Sequence, residues 1–400
     1  MESTENKIKV LRIIARLNIG GPAIHTILLT RYLGGRFETR LVAGEVSEGE
    51  ESMDYLLERL GVVPVHVNTL RRELSFFRDL RSVLRIYGLI REFRPDIVHT
   101  HTAKAGAIGR AAGILYNLLH LRHGKSRIRL VHSFHGHVFR GYFNRPVSSL
   151  FAMTERALAA FTDAIIAVSG SLKRDLVETY RIAPDGKIKV VYNGYDLDAF
   201  LKIDPADGPP AGRETTITTV GRLVPIKGQA FLIKAFSMLK ARARLLIAGD
   251  GVSKAELVRL SKDLGVSERV CFLGYTKDMA SVYRETDIFV LSSLNEGAPV
   301  AVIEALASAR PVIATDVGGI ADLLGIRLGR IADDVYLCER GILVPPARED
   351  SIAAAIEYLI NNPGIGYTTG AQGRRFTGGF FTIDRLMEDM DKLYTGVMER

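Results

Sequence analysis

Short, strand-like runs rich in apolar residues recur along the chain, with helical patterns between them. In the first half they fall at residues 10–15, 39–43, 63–67, 97–100, 129–134, 164–168 and 189–192. Residues 76–93 illustrate the intervening pattern, with apolar side chains at Phe76, Phe77, Leu80, Leu84, Tyr87 and Phe93. Runs of this length, without strict alternation, predict parallel strands buried on both faces and joined by helices. The series is interrupted at residues 204–213, DPADGPPAGR, a proline- and glycine-rich stretch that reads as a linker. It then restarts at 217–220, 245–248, 270–273, 288–291 and 312–314. The pattern therefore predicts two doubly wound, Rossmann-like α/β domains in tandem. Ligand is expected in the cleft between them, at the carboxyl ends of the strands.

A chain of 400 residues is too long for one ordinary core, which agrees with that division. The expected boundaries are a first domain at 1–203, the linker at 204–213 and a second domain at 214–381. A terminal helix at 382–400 could pack on either domain. Cys271 and Cys338 are the only cysteines, too few for a disulfide framework, and fit a reducing compartment. Lys9, Arg12 and Arg16 interrupt the apolar residues near the start, so no signal-peptide core or spanning helix is expected there. The composition reads as cytoplasmic.

Charge divides the halves further. Residues 1–200 hold 29 Lys and Arg against 20 Asp and Glu, so the excess positive charge of the whole chain lies in its first half. Between Asp96 and Glu155 there is no acidic residue, while Lys104, Arg110, Arg122, Lys125, Arg127, Arg129, Arg140 and Arg145 fall there with seven of the nine histidines. Such a segment attracts anions: nucleic acid, an anionic membrane surface or a phosphorylated small molecule. No nucleic-acid-binding motif accompanies the charge, so no nucleic-acid partner is expected.

Three segments carry candidate chemistry. Glu296-Gly-Ala-Pro-Val-Ala-Val-Ile-Glu304 follows an apolar run and places Glu296 in a loop and Glu304 in a helix opened by Pro299. Both carboxylates could face one ligand, beside the free N–H groups of the helix start. Alone, the pair is equally a surface carboxylate followed by an ordinary helical one. Gly221-Arg-Leu-Val-Pro-Ile-Lys-Gly228 offers Arg222 and Lys227 in a strand-to-helix loop, where two cations could stabilise a departing diphosphate. Asn18-Ile-Gly-Gly-Pro-Ala-Ile-His25 lets a phosphate or sugar approach the backbone at Gly20 and Gly21, without the spacing of a dinucleotide fingerprint.

GRLVPIKG, LLIAGDG at 245–251, EGAPVAVIE and TDVGG at 315–319, taken with PDIVHTHTAKAG at 95–106, HSFHGHVFRGYF at 132–143 and VVYNGYDLDAF at 190–200, resemble the retaining glycosyltransferases of family four. The resemblance runs over nearly the whole chain, in order. It implies the GT-B fold: two doubly wound Rossmann-like domains facing across an interdomain cleft. It also implies that Arg222 and Lys227 bind the donor diphosphate and that Glu304 binds the nucleotide ribose. Glu296 and the backbone of Gly297, Ala298, Pro299 and Val300 would meet the donor sugar and its phosphate. Gly20 and Gly21 would approach the donor phosphate, His135 would lie near the reacting sugar, and Leu273 to Tyr275 would surround the base. Three departures stand out. Ala321-Asp322 replaces the usual Pro-Glu, Ser308-Ala-Arg310 replaces a glycine-containing turn, and residues 325–340 lengthen the connection to Gly341-Ile-Leu-Val-Pro-Pro346.

The implied reaction moves a hexose-type sugar from a UDP- or GDP-sugar to a hydroxyl acceptor, with retention, no cofactor and no metal. Glu296 is read as orienting the sugar rather than attacking it. Asp196-Leu-Asp198 reads as loop and cap carboxylates. The pairs His99/His101 and His135/His137 have the spacing of a strand face and so could share a metal, a weaker reading than lining an anionic cleft. His101, Lys104, His137, Arg140 and Tyr142 are the acceptor-side candidates, with His99 and His132 as core or cap residues. Phe139, Tyr142 and Phe143 among Arg140 and Arg145 could meet a lipid-linked phosphate at an anionic membrane, giving a glycan or lipid-linked acceptor and a cytoplasmic, peripheral location. The rivals are a nucleotide-sugar epimerase of the same architecture and a non-enzymatic, basic anion- or nucleic-acid-binding protein.

Overall fold

A computed structural model describes residues 7–46, 52–71, 73, 75–120, 127–136, 145–205, 214–297 and 299–399. Four expected site residues, His137, Arg140, Tyr142 and Ala298, and most of the linker lie outside them. The chain divides into two compact units, residues 1–195 with 383–400, and residues 196–382.

The first unit begins β1 (Ile8–Ile14), α1 (Gly21–Tyr32), β2 (Phe37–Ala43), α2 (Asp54–Leu60) and β3 (Val65–His66). It continues α3 (Phe76–Phe93), β4 (Ile97–His101), α4 (Ala103–His120), β5 (Arg129–Phe134) and α5 (Arg145–Phe161). Then come β6 (Ala164–Ala167), α6 (Gly170–Arg174) and β7 (Ile188–Val190). The seven strands form one parallel sheet in the order β3-β2-β1-β4-β5-β6-β7.

Side-chain alternation along β1 assigns the two faces. Leu11 and Ile13 pack with Ile86, Leu89, Ile90 and Phe93 of α3 and Ala105, Ile108 and Ala112 of α4. Val10 packs on the opposite face with Leu29 of α1 and with Leu386, Met390, Tyr394 and Val397. These last four belong to the chain's final helix, residues 383–398, so the far end of the sequence completes the core of the first unit.

The contacts of α3 decide which of its apolar residues face the sheet. Ser82, Ile86, Leu89, Ile90 and Phe93 are its buried residues, whereas Phe76, Phe77, Leu80 and Leu84 are exposed. The helix carries a second apolar stripe, on the side away from the sheet, and the bulkier stripe is the one facing solvent.

The second unit opens with α7 (Asp198–Leu201), so the unit boundary falls ahead of the proline-rich stretch. It runs through β8 (Thr215–Val220), α8 (Gln229–Ser237), β9 (Ala243–Ala248), α9 (Lys254–Asp263), β10 (Val270–Gly274) and α10 (Met279–Glu285). Next are β11 (Ile288–Leu291), α11 (Val300–Ala307), β12 (Val312–Thr315) and α12 (Ile320–Leu324). β13 (Arg327–Ala332), β14 (Val335–Cys338) and β15 (Gly341–Val344) follow, then α13 (Glu349–Asn361) and α14 (Pro363–Phe380). The terminal helix of the first unit is α15 (Ile383–Met398).

The second sheet is ordered β10-β9-β8-β11-β12-β15-β14-β13, with β13 and β14 antiparallel. The long segment 325–340 is thus a hairpin added to the sheet edge. Its outer strand carries Arg327 and Arg330, charges of the kind that blunt an edge against further pairing. Among the described residues, no helix is long and apolar enough to cross a membrane.

Candidate functional site

In the second unit the strand order reverses between β8 and β11, so the loops after these strands diverge at the carboxyl edge of the sheet. The β8 loop supplies Arg222 and Lys227, and the β11 loop supplies Glu296. Leu294 N donates to Ile226 O at 2.8 Å and Ser292 Oγ to Lys227 O at 3.3 Å, which fastens one loop to the other. Lys227 Nζ then reaches Glu296 Oε1 at 2.6 Å, and Ser293 Oγ donates to the same oxygen at 2.6 Å. The carboxylate is buried, with Lys227 only partly exposed above it. Arg222 is exposed and its guanidinium has no acidic partner among the described residues.

Two glycines make this approach possible. Gly228 has φ +64°, and a Cβ there would stand 2.2 Å from Ser292 O. Gly318, in the TDVGG segment, has φ +57°, and its Cβ would lie 1.8 Å from Glu296 O. Gly319 N donates to Gly297 O at 3.0 Å, so the β12 loop supports the β11 loop from below. Gly318→Ala is expected to displace the Glu296 backbone, lowering stability by roughly 1–3 kcal/mol and weakening ligand binding at this edge at least tenfold. Thermal unfolding and ligand titration of the same preparation would check both.

Gly297 and Pro299 lie between Glu296 and α11, which begins at Val300 with Pro299 at its cap. Glu304 follows on α11 beside Tyr283 of α10. Tyr283 Oη lies 2.9 Å from Ala301 O and 3.0 Å from Glu304 Oε2. A phenol has one proton, so both contacts are full hydrogen bonds only when Glu304 is protonated and donates to Tyr283. Burial pushes the Glu304 carboxyl up to about 7, although one edge of the side chain remains accessible. Leu273 and Tyr275 flank Gly274 at the end of β10, with Leu273 exposed. Asp322 lies on α12.

In the first unit the order reverses between β1 and β4. Gly20 caps α1 and Gly21 begins it, directed by Pro22. His25 lies one turn on, His101 ends β4 and His135 follows β5. His101 Nδ1 and His135 Nε2 share a hydrogen bond of 3.0 Å, and the His25 ring packs edge-on to His135 at 5.2 Å. Burial pushes His25 and His101 well down and His135 down to about 4, so the three rings are neutral near pH 7.

Ligand nitrogens of these three histidines lie within 4.8 Å of one another, close enough to share one metal ion. The buried Arg12 guanidinium helps depress His25 and His101, and the same charge opposes a dication there. Neutral rings with free nitrogens suit the hydroxyls of an uncharged ligand. Lys104 forms an ion pair with Asp79 at 2.7 Å and donates to Glu73 O.

His99 is a core residue, held by Tyr394 Oη at 2.6 Å and Ser133 Oγ at 2.8 Å. His132 is buried against Thr100 Oγ1 at 2.9 Å. The anion-attracting reading of residues 96–155 does not extend to Arg110, which is buried and paired bidentately with Glu155 at 2.9 and 2.7 Å. Sequence reasoning passed over His25, Ser293 and Tyr283. For His25 a signal existed, since it stands at i+4 from Gly21 on the same helix face. Ser293 and Tyr283 had none, because only packing brings them to the two glutamates.

The family described as Glycosyltransferase Family 4 matches residues 19–199, and that described as Glycosyl transferases group 1 matches residues 214–362. An Escherichia coli UDP-Gal:alpha-D-GlcNAc-diphosphoundecaprenol alpha-1,3-galactosyltransferase is 27% identical over 80% of this chain and 82% of its own. The Staphylococcus aureus capsular polysaccharide biosynthesis glycosyltransferase CapM is 28% identical over 87% and 88% respectively. Among solved structures, Anabaena HepE in complex with UDP superposes with a TM-score of 0.78 at 20% identity, covering 97% of this chain and all of that one.

Proposed function

We propose that this chain, which belongs to the GT-B glycosyltransferases of family 4, moves a hexose from a UDP-sugar to a hydroxyl of a lipid-linked glycan, with retention and without a metal. The observation that carries this reading is the Lys227–Glu296 pair held across the switch point of the second sheet, with Arg222 on the same β8 loop and without an acidic partner among the described residues. The UDP in HepE and the UDP-galactose and diphosphoundecaprenol substrate in the Escherichia coli relative's name support the choice of donor and acceptor.

Arg222, Lys227 and the N–H groups opening α11 would take up the charge that develops on the departing UDP. Glu296 Oε1 already accepts from Lys227 and Ser293, so it is a poor nucleophile and a good anchor for a sugar hydroxyl. Retention would then follow from attack on the face that the phosphate leaves. The acceptor oxygen bonds to the anomeric carbon, the bond from that carbon to the phosphate oxygen breaks, and the acceptor's proton passes to the phosphate. In this reading His135, with His101 and His25 behind it, is a neutral hydrogen-bonding partner for a sugar hydroxyl. The configuration of the product made in EDTA, read by NMR coupling at the new anomeric centre, tests the chemistry. A product of inverted configuration would contradict retention and leave donor binding untouched.

Glu304 gives the donor site a pH dependence. A carboxylate accepts from ribose hydroxyls more strongly than a neutral carboxyl does, so binding of the ribose would favour loss of the proton from a Glu304 raised to about 7. Affinity for UDP should therefore fall as pH drops below 7, by up to about tenfold per unit. Glu304→Gln should flatten the profile. Stability has the opposite sign. A carboxyl raised above its unfolded value favours the folded state at low pH, and that contribution is lost as pH rises through about 7. Calorimetry across pH 5.5 to 8, in buffers of differing ionisation enthalpy, would count the released proton.

A further inference from the structure

We propose that the outer face of α3 is the surface by which the first unit lies on an anionic lipid bilayer. Phe76, Phe77, Leu80 and Leu84 expose 77%, 75%, 49% and 55% of their surface, although they share one helix with a fully formed core stripe. A helix that is apolar on two faces has one face still to be covered. The charges on the same helix identify what covers it.

Arg81, Arg85 and Arg91 are exposed and have no acidic partner among the described residues, whereas both acidic residues of α3 are neutralised, Asp79 by Lys104 and Glu92 by Arg40. Bulky apolar side chains bordered by unpaired arginines match the boundary between acyl chains and anionic headgroups. A second copy of the chain would bring arginine against arginine, which disfavours self-association through this face. α3 packs on α4 and α4 on α5, where Leu150 and Met153 are also exposed.

The position of the face is informative as well. The Lys104–Asp79 pair ties the first turn of α3 to the start of α4, immediately after His101. The apolar end of the helix therefore lies at the carboxyl edge of the sheet, where the histidines converge. An acceptor anchored in the bilayer would be presented at that edge. The lipid surface does not depend on the nucleotide-sugar reading, because vesicle binding needs no donor.

Flotation of the full chain with vesicles of phosphatidylglycerol and phosphatidylcholine at low salt, against phosphatidylcholine alone, tests the proposal. Binding is expected only to the anionic vesicles. It should fall about tenfold or more in Arg81→Gln/Arg85→Gln and similarly in Phe77→Gln/Leu84→Gln, with the thermal midpoint and UDP binding of both variants retained. Protein that stays in solution with anionic vesicles, or floats equally well in both variants, would overturn it. So would a dimer in sedimentation velocity that Phe77→Gln/Leu84→Gln dissolves, since the face would then belong to a second copy.

Discussion

Lys227→Ala is expected to lower the turnover of transfer about 10²–10³-fold, with a smaller change in KM. The ammonium is held 2.6 Å from Glu296 by a loop that cannot retract, because Gly228 packs on the Ser292 carbonyl and Leu294 is bonded to Ile226. A cation fixed in this way costs little reorganisation when charge moves onto a leaving diphosphate. In the proposed transfer it would therefore stabilise the transition state more than the bound donor. The substitution also leaves the buried Glu296 carboxylate with only Ser293 as its side-chain donor, a loss of about 1–3 kcal/mol that should appear in the thermal midpoint. Steady-state kinetics and melting of one preparation separate the two effects. Equal losses in folding and in kcat/KM, with kcat unchanged, would reduce Lys227 to a structural residue.

Glu155→Ala should destabilise the first unit by about 3–5 kcal/mol. Arg110 is fully buried between α4 and the sheet, and its strongest partners are the two oxygens of Glu155 at 2.9 and 2.7 Å. Its remaining contact is Nε donating to Gly106 O at 2.8 Å. Removing the carboxylate leaves a guanidinium in an apolar layer without a counter-charge, whereas Arg110→Met/Glu155→Ala removes the charge as well and should recover much of the loss. Urea unfolding of the single and double variants would measure this coupling. Additive losses would mean that Arg110 finds another partner.

The sheets were legible because parallel strands buried on both faces leave continuous apolar runs, and each such run listed from the sequence lies in or against a strand. The hairpin β13–β14 escaped notice since its outer strand is exposed and arginine-bearing, the reverse of that signature. In α3 the helical pattern was legible, yet of the apolar positions that marked it only Phe93 is buried, while Phe76, Phe77, Leu80 and Leu84 are exposed. Apolar spacing reports that a stripe exists, and only packing decides which of two stripes meets the sheet.

The β8 and β11 loops were readable as candidates because glycines and cations stand at strand-to-helix junctions, where a phosphate could be bound; that they hold the donor is our proposal. What supports those loops was not readable. Ser293 under Glu296, Tyr283 beside Glu304 and Gly318 against the Glu296 carbonyl are brought in by other strands and helices. The same holds for Tyr394, which reaches His99 across 295 positions of sequence.

The most direct measurement is a thermal-shift screen of the purified chain against UDP-, GDP-, ADP- and TDP-sugars in EDTA, repeated with Glu304→Ala and Lys227→Ala. Stabilisation by a UDP-sugar that is lost in both variants is the predicted result. No stabilisation of the folded protein by any nucleotide sugar, or stabilisation unchanged in the variants, would contradict a donor site at the β8 and β11 loops.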